Sequence, residues 1–262
     1  MKKLVISIIL ALAFLWLIKP FNIVILGSDA RPWQPLKGSR SDTIMLINVN
    51  PILAKIKIVS IPRDSYTMID CEKGGKVDKI THALAFGGPR CSVRALENML
   101  NTKIQYSVLL RFEDLINLTT LVDGVEIVSN HTFTQDKQSF VEGETYTVQG
   151  DRALAYARHR KTDSDFKRGD RQKQVLSALQ SKLLSPAGFS KIPTVIGYVN
   201  SNMEVNFNPL RAVSMLPAAM IHGSDYKTFE LTGDGKMIKG VYYFIPDNTS
   251  LKEIKKEFKV WI

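Results

Sequence analysis

Cysteine is scarce in this chain: two in 262 residues, Cys71 and Cys91. Two thiols are too few for a structural zinc site. They are either free or joined, and a bridge between them would close a glycine-rich loop and contribute roughly 3 kcal/mol by chain entropy. Glycine-rich phosphate loops are also missing. Gly27 stands alone and no P-loop follows any strand. No serine or cysteine has a convincing histidine partner, which argues against a hydrolase triad. No helix-turn-helix is evident, and neither an internal repeat nor a low-complexity linker interrupts the chain. Acidic residues are outnumbered, 25 against 35 basic ones, for a formal charge of +10. That excess favours an anionic partner: nucleic acid, a membrane surface or a phosphorylated substrate.

Long apolar runs are confined to the start. Lys2 and Lys3 precede an almost unbroken apolar stretch from Leu4 to Ile18, with Trp16 and Lys19 near its far edge. A spanning helix needs about 17–25 residues, so this one spans if its flanks snorkel. The same segment has the layout of a signal peptide, with Ala11 and Ala13 in an A-x-A pattern, but cleavage there leaves a very short apolar core. The expectation is an uncleaved single-pass anchor over residues 1–20 that places 21–262 outside the cytoplasm. An exported location argues against a nucleic-acid partner.

From residue 21 onward, strand and helix patterns alternate. Phe21 to Leu26, Thr43 to Val49, Ala54 to Ile61, Gln105 to Leu110 and Val125 to Ser129 are strand-like, as is a short stretch between Gly143 and Gly150. Ser92 is a candidate N-cap for a helix through Leu100, Phe112 to Leu121 is amphipathic, and Asp151 is a candidate cap for a helix through about Tyr156. The segment after Gly169 is helical, with Val175, Leu176, Leu179 and Leu183 on its buried face. The tail from Phe189 offers a helix near Pro209 to Met220, strands near Phe229 and Val241 to Phe244, a polar helix ending at Phe258, and no evident chemistry. The expected fold is α/β, a layered α-β-α domain with a mixed central sheet behind an N-terminal transmembrane helix.

Five of the twelve arginines fall in one stretch: Arg152, Arg158, Arg160, Arg168 and Arg171, interleaved with Asp163, Asp165 and Asp170. Elsewhere lysine carries most of the positive charge. Arginine is a planar fork that grips phosphate oxygens in pairs, so the local switch suits a multiply charged anion, against the alternative of a solvated basic face. Arg171 precedes Val175 by four residues and shares its buried face, which favours a site, because buried arginine needs a partner. Three early strands add polar clusters at their ends: Asp29 and Arg31, then Arg40, Ser41 and Asp42, then Arg63 and Asp64. If the first two strands pair antiparallel, Asp29 and Asp42 come to one edge and could share a hard divalent cation such as Mg²⁺. The alternative is two loop aspartates acting as caps. His82 and His159 are candidate acids or bases, or structural histidines.

The blocks GSDARP, RSDTIMLINVNP, IVSIPRDS, KITHALAFGG, GDRALAYARHR and DFKRGDRQKQVL occur in order between about residues 22 and 185. In this the chain resembles the LytR–CpsA–Psr family of cell-wall assembly enzymes. The resemblance implies a membrane-anchored, extracytoplasmic transferase that moves a glycopolymer (a teichoic acid, a capsule or another secondary polysaccharide) from a polyprenyl pyrophosphate carrier onto a peptidoglycan hydroxyl. It implies that Asp29 and Asp42 hold Mg²⁺ against the pyrophosphate. Arg40, Arg63, Arg158, Arg160 and Arg168 would clamp its oxygens, with Arg171 and Gln172 completing the pocket. Arg63 and Arg160 would serve catalysis, and Asp165 would be the general base for the acceptor, with Asp163 as its competitor. Arg152 is expected to be surface charge only. The rivals are a polyprenyl-phosphate lipid binding protein and a lipid pyrophosphatase without transferase activity. The cysteine pair lies outside the pattern that carries the resemblance.

Overall fold

The computed structural model describes residues 7, 14–28, 39–71, 75–159, 161–162, 165–183, 185, 187–208, 211, 214, 221 and 225–260. The chain runs through β1 (Phe21–Ser28), β2 (Ser41–Asn50), β3 (Lys55–Ser60), β4 (Tyr66–Ile69), β5 (Lys76–Lys79) and helix α1 (His82–Leu100). It continues through β6 (Tyr106–Arg111), α2 (Phe112–Leu121), β7 (Val125–Val128), β8 (Phe133–Gln135), β9 (Gln138–Phe140), β10 (Thr145–Val148), α3 (Gly150–Arg158), α4 (Asp165–Leu183) and α5 (Ile192–Asn202). The last elements described are β11 (Glu204–Asn206), β12 (Asp225–Glu230), β13 (Gly233–Ile238), β14 (Val241–Pro246) and α6 (Asn248–Glu257). The described residues divide into two compact units. One takes the described residues up to Leu109 and from Val205 onward; the other takes 110–204.

In the first unit the sheet order is β11-β6-β1-β2-β3-β12. β1 and β3 both pair antiparallel with β2, and β12 pairs parallel with β3, so the sheet is mixed, as expected. Alternation sends Val24, Leu26, Ile44, Leu46 and Val59 to one face, where Leu84, Leu96 and Leu100 of α1 and Ile254 of α6 bury them. Asn22 lies on that same face, fully buried. Its amide donates to the carbonyls of Lys103 and Phe258, both at 2.8 Å, and its oxygen accepts from Asn48 at 2.9 Å. Every polar atom replaced there would strand a partner at about 1–3 kcal/mol, so the network ties the end of α6 to β1. Gly27 faces Thr43 so closely that a β-carbon would sit 2.8 Å from that residue's own. The register shifts next to it, between Gly27 and Ser28.

α1 starts at His82, ten residues before the expected cap. Gly87 and Gly88 leave helical geometry, and Pro89 restarts the helix, so the glycines and proline mark a kink inside it. Ser92 is buried inside the helix. Cys71 and Cys91 form a disulfide that fastens the loop after β4 to α1. At the other end of the unit Asp247 caps α6, accepting from Thr249 and Ser250 amides at 2.8 and 2.9 Å.

Among the described residues no helix is long and apolar enough to cross a membrane. Most of the anchor expected over 1–20 falls outside them, as does most of the helix expected near 209–220. Residues 14–18 are helical, and Arg211 is buried against their end. Its guanidinium donates to the carbonyls of Trp16, Leu17 and Lys19 and lies over the Trp16 and Phe21 rings, 5.0 and 4.4 Å from their centres. It thereby supplies donors to carbonyls that a helix end leaves unpaired. Burial pulls this guanidinium below its ordinary pKa, against the opposing pull of Tyr106. The sequence had suggested no role for this residue.

In the second unit β7 pairs antiparallel with β10, and β8 with β9. Asp136 and Lys137, both at positive φ, make the tight β8–β9 turn. α3 begins at Gly150 after Gln149, with no side-chain cap; Asp151 sits in its first turn instead. α4 begins at Asp165, so Arg168 lies within the helix rather than before it, and Gly169 does not interrupt it.

Candidate functional site

Four charged side chains of the first unit converge at the end of β3. The Arg63 guanidinium is 2.7 Å from Asp42 Oδ1 and 3.7 Å from Asp64 Oδ2. Lys79 holds the other Asp64 oxygen at 2.8 Å. The backbone fixes this arrangement. The Thr81 amide donates to the Arg63 carbonyl, the Phe244 amide to the Asp64 carbonyl, and the Ser65 hydroxyl to Pro62. Thr81 also donates its hydroxyl to the Ser41 carbonyl at 3.0 Å, which sets Asp42 next to the loop. These are half-exposed groups, so the pairs add little stability. They instead hold a planar cation at a defined place with solvent access.

Asp78 and His82 lie on the adjoining elements. His82 Nδ1 is 3.1 Å from Asp78 Oδ1, and Lys76 is 3.4 Å from Oδ2. Burial by itself raises the Asp78 pKa. The Lys79 amide, His82 and Lys76 outweigh that and hold the carboxyl below its ordinary value. His82 is therefore a hydrogen-bonding partner of Asp78 in this arrangement. Arg40 is exposed just before β2.

The arginine segment belongs to the second unit. Arg158, at the end of α3, is exposed and pairs with Asp136 at 2.5 Å. Arg168 is nearly buried and Gln172, four residues on, is half-buried. Arg171 is wholly buried, the largest such side chain in the protein's described part. It donates to the His159 carbonyl at 2.5 Å and to Asn130 Oδ1 at 3.3 Å, and lies 5.2 Å from the centre of the Phe133 ring. The inward face inferred for it is correct. What it grips there is the protein's own backbone, so it acts by positioning the loop that follows α3.

That loop is held by a second device. His159 is buried, stacked on Phe133 at 4.0 Å, with Nε2 2.8 Å from Thr162 Oγ1. His131 Nε2 approaches the same hydroxyl at 2.9 Å. His159 is thus structural. Arg152, expected to be surface charge, lies over the rings of Phe140 and Tyr146 at 5.5 and 5.1 Å. Phe133, Phe140, Tyr146 and Tyr156 pack ring on ring behind this segment, and their recurrence through 133–156 is the sequence signal for it.

Of the expected site residues, the structure brings Asp42 and Arg63 together and adds Asp64 and Lys79 to them. Asp29, Arg160 and Asp163 lie outside the described residues, and so does the Asp165 side chain at the start of α4. Among the described residues no cluster of three or more His, Cys, Asp or Glu could hold a metal alone. Mg²⁺ does not require one: it takes one or two carboxylates and fills its shell with water and phosphate oxygens. Asp42 spends Oδ1 on Arg63 and keeps partial exposure, a donor of the right kind for that use.

Comparison with known proteins places the chain in a family. The LytR_cpsA_psr family matches residues 17–260. A Bacillus subtilis (strain 168) protein named polyisoprenyl-teichoic acid–peptidoglycan teichoic acid transferase TagU is 36% identical over 245 residues, 92% of this chain and 77% of that protein. Its namesake from Halalkalibacterium halodurans is 33% identical over 242 residues, 92% of this chain and 78% of the relative. The crystal structure of B. subtilis TagV superposes with a TM-score of 0.79 at 29% identity, covering 92% of this chain and 96% of that one. TagT bound to LIIa-WTA gives 0.73 at 32% identity, covering 92% and 89%.

Proposed function

The chain belongs to the LytR–CpsA–Psr family, and from that premise we propose that it transfers a glycopolymer of the teichoic-acid class from a polyprenyl pyrophosphate carrier to a hydroxyl of peptidoglycan. The observation that carries the reading is the Arg63 fork, fixed between Asp42 and Asp64 by backbone bonds and open to solvent. The relatives named for teichoic acid transfer to peptidoglycan support the same chemistry.

In the reaction the acceptor oxygen attacks the phosphorus next to the sugar, the P–O–P bond breaks, and polyprenyl phosphate leaves. Negative charge grows on the leaving phosphate. Arg63, held by its backbone bonds, meets that charge, and the family resemblance assigns Arg40, Arg158, Arg160 and Arg168 to the same task. Asp165 takes the acceptor proton. Arg171 holds the loop carrying Arg160, and Gln172 shares the helix of Arg168. Asp42, with Asp29, would hold Mg²⁺, which supplies charge neutralisation at the pyrophosphate when bound. The Cys71–Cys91 bridge supports an oxidising compartment, in accord with an anchor over 1–20 and an extracytoplasmic body at the cell membrane.

The test is transfer by purified protein from a polyprenyl pyrophosphate-linked polymer to peptidoglycan in the presence of Mg²⁺. Arg63→Met should lower kcat by roughly 10²–10³-fold, the usual loss for one charge-stabilising donor, with the melting transition kept. Asp42→Asn should lose transfer likewise. Wild-type rates in both folded variants would sink the assignment.

A further inference from the structure

The β4–β5 hairpin presents an unusual outer face. Its register pairs Tyr66 with Lys79 and Met68 with Val77, so these four side chains share one side of the ribbon while Thr67 and Ile69 turn inward and are buried. Tyr66, Met68 and Val77 are 37, 45 and 40% exposed. A single exposed apolar side chain is ordinary; three contiguous ones on a short ribbon are a surface with a use.

This face runs into the Arg63 loop. The Tyr66 ring packs edge-to-face on Tyr243 of β14 at 4.9 Å. Lys79, on the same face, pairs with Asp64, which in turn neighbours Arg63. Ser65 bridges to Phe244, so the hairpin, the loop and β14 form a continuous backbone frame. The charges at the rim balance, three carboxylates (Asp64, Asp70 and Asp78) against three cations (Lys76, Lys79 and Arg94). Asp64 is paired with Lys79, Asp78 with His82 and Lys76, and Asp70 with Arg94. Lys76 remains well exposed at its end.

We infer that this face is the binding surface for the acceptor glycan. An open tyrosine ring offers a flat apolar surface to the C–H face of a pyranose. Lys79 beside it suits the hydroxyls and carboxylates of a peptide-bearing amino-sugar polymer. The direction is also defined: a glycan strand along Tyr66, Met68 and Val77 arrives at Lys79 and Asp64, and so at the Arg63 end where its hydroxyl reacts. The inference rests on the transferase reading given above and names the acceptor side of that site. Interleaved, paired carboxylates make the face a poorer match to an anionic bilayer.

The probe is a soluble β-1,4-linked N-acetylglucosamine–N-acetylmuramic acid oligosaccharide bearing stem peptides, titrated calorimetrically into the full chain without donor. Wild type should bind it. Tyr66→Ser should weaken binding about tenfold, the scale of one lost aromatic contact of about 1.4 kcal/mol, and Tyr66→Trp should restore it. In the transfer assay Tyr66→Ser should raise KM for the acceptor far more than KM for the donor. Absence of binding by wild type, or equal binding by a folded Tyr66→Ser, overturns the inference. So does a Tyr66→Ser variant that loses binding to phosphatidylglycerol vesicles while keeping the glycan, which assigns the face to the membrane. The two readings fail separately: glycan binding with no transfer by wild type removes the function and leaves the surface, whereas transfer with unaltered acceptor KM in Tyr66→Ser removes the surface and leaves the function.

Discussion

Replacing Arg171 by methionine separates a structural arginine from a phosphate ligand. The side chain has no exposed surface, donates to the His159 carbonyl at 2.5 Å and to Asn130 at 3.3 Å, and stacks on Phe133 at 5.2 Å. Methionine fills the stem's volume but leaves the buried His159 carbonyl without this donor, at about 1–3 kcal/mol. The lost contact with the ring adds about 1–2 kcal/mol. Relief from burying a guanidinium offsets part of this, so the net loss is about 3 kcal/mol. With a urea slope of about 1–3 kcal/mol/M, the unfolding midpoint should fall by about 1–3 M. Arg171→Lys should fall between, because one ammonium cannot span both acceptors. Activity per folded molecule should decline with loosening of the loop after α3, not vanish outright. A variant of unchanged midpoint and no activity would refute the reasoning and make Arg171 a substrate contact.

Two further outcomes follow from the same geometry. The Cys71–Cys91 bridge closes a separation of 20 residues, so Cys71→Ala/Cys91→Ala should lose about 3 kcal/mol, and wild-type protein in reductant should melt at the same temperature as the double variant. Asp78 has a folded pKa below its ordinary value, so its contribution is present above the ordinary carboxylate value and disappears as pH falls through the lower, folded one. Asp78→Asn should therefore show a shallower acid limb in a stability–pH profile below about pH 4 and little difference in slope near neutrality.

Much of the fold was legible because β-branched runs and amphipathic periodicity declare themselves. β1, β2, β3, β6 and α2 fall within a few residues of their expected places. The failures have local causes. Gly87, Gly88 and Pro89 look like a boundary but make a kink, which hid the first turns of α1. Gly169 looked like a start and lies inside α4, where packing of Val175 and Leu179 overrides its low propensity. The hairpins β4–β5 and β8–β9 are too short to declare a period. At the site, Asp42 with Arg63 could be anticipated from strand ends. Lys79 and Asp136 could not, because each meets its partner only through tertiary pairing. Arg211 is the extreme case: its acceptors lie 192–195 residues away in sequence.

The most direct measurement of the central claim is a product balance. Peptidoglycan and a polyprenyl pyrophosphate-linked glycopolymer, labelled in the lipid and in the polymer, are incubated with the full chain, and both labels are followed by mass spectrometry. The account predicts one polyprenyl monophosphate released for each polymer joined to peptidoglycan through a phosphodiester, with release falling sharply when the acceptor is omitted. Equal release of lipid phosphate without acceptor, and no polymer on the wall, would contradict it and leave a lipid pyrophosphatase in its place.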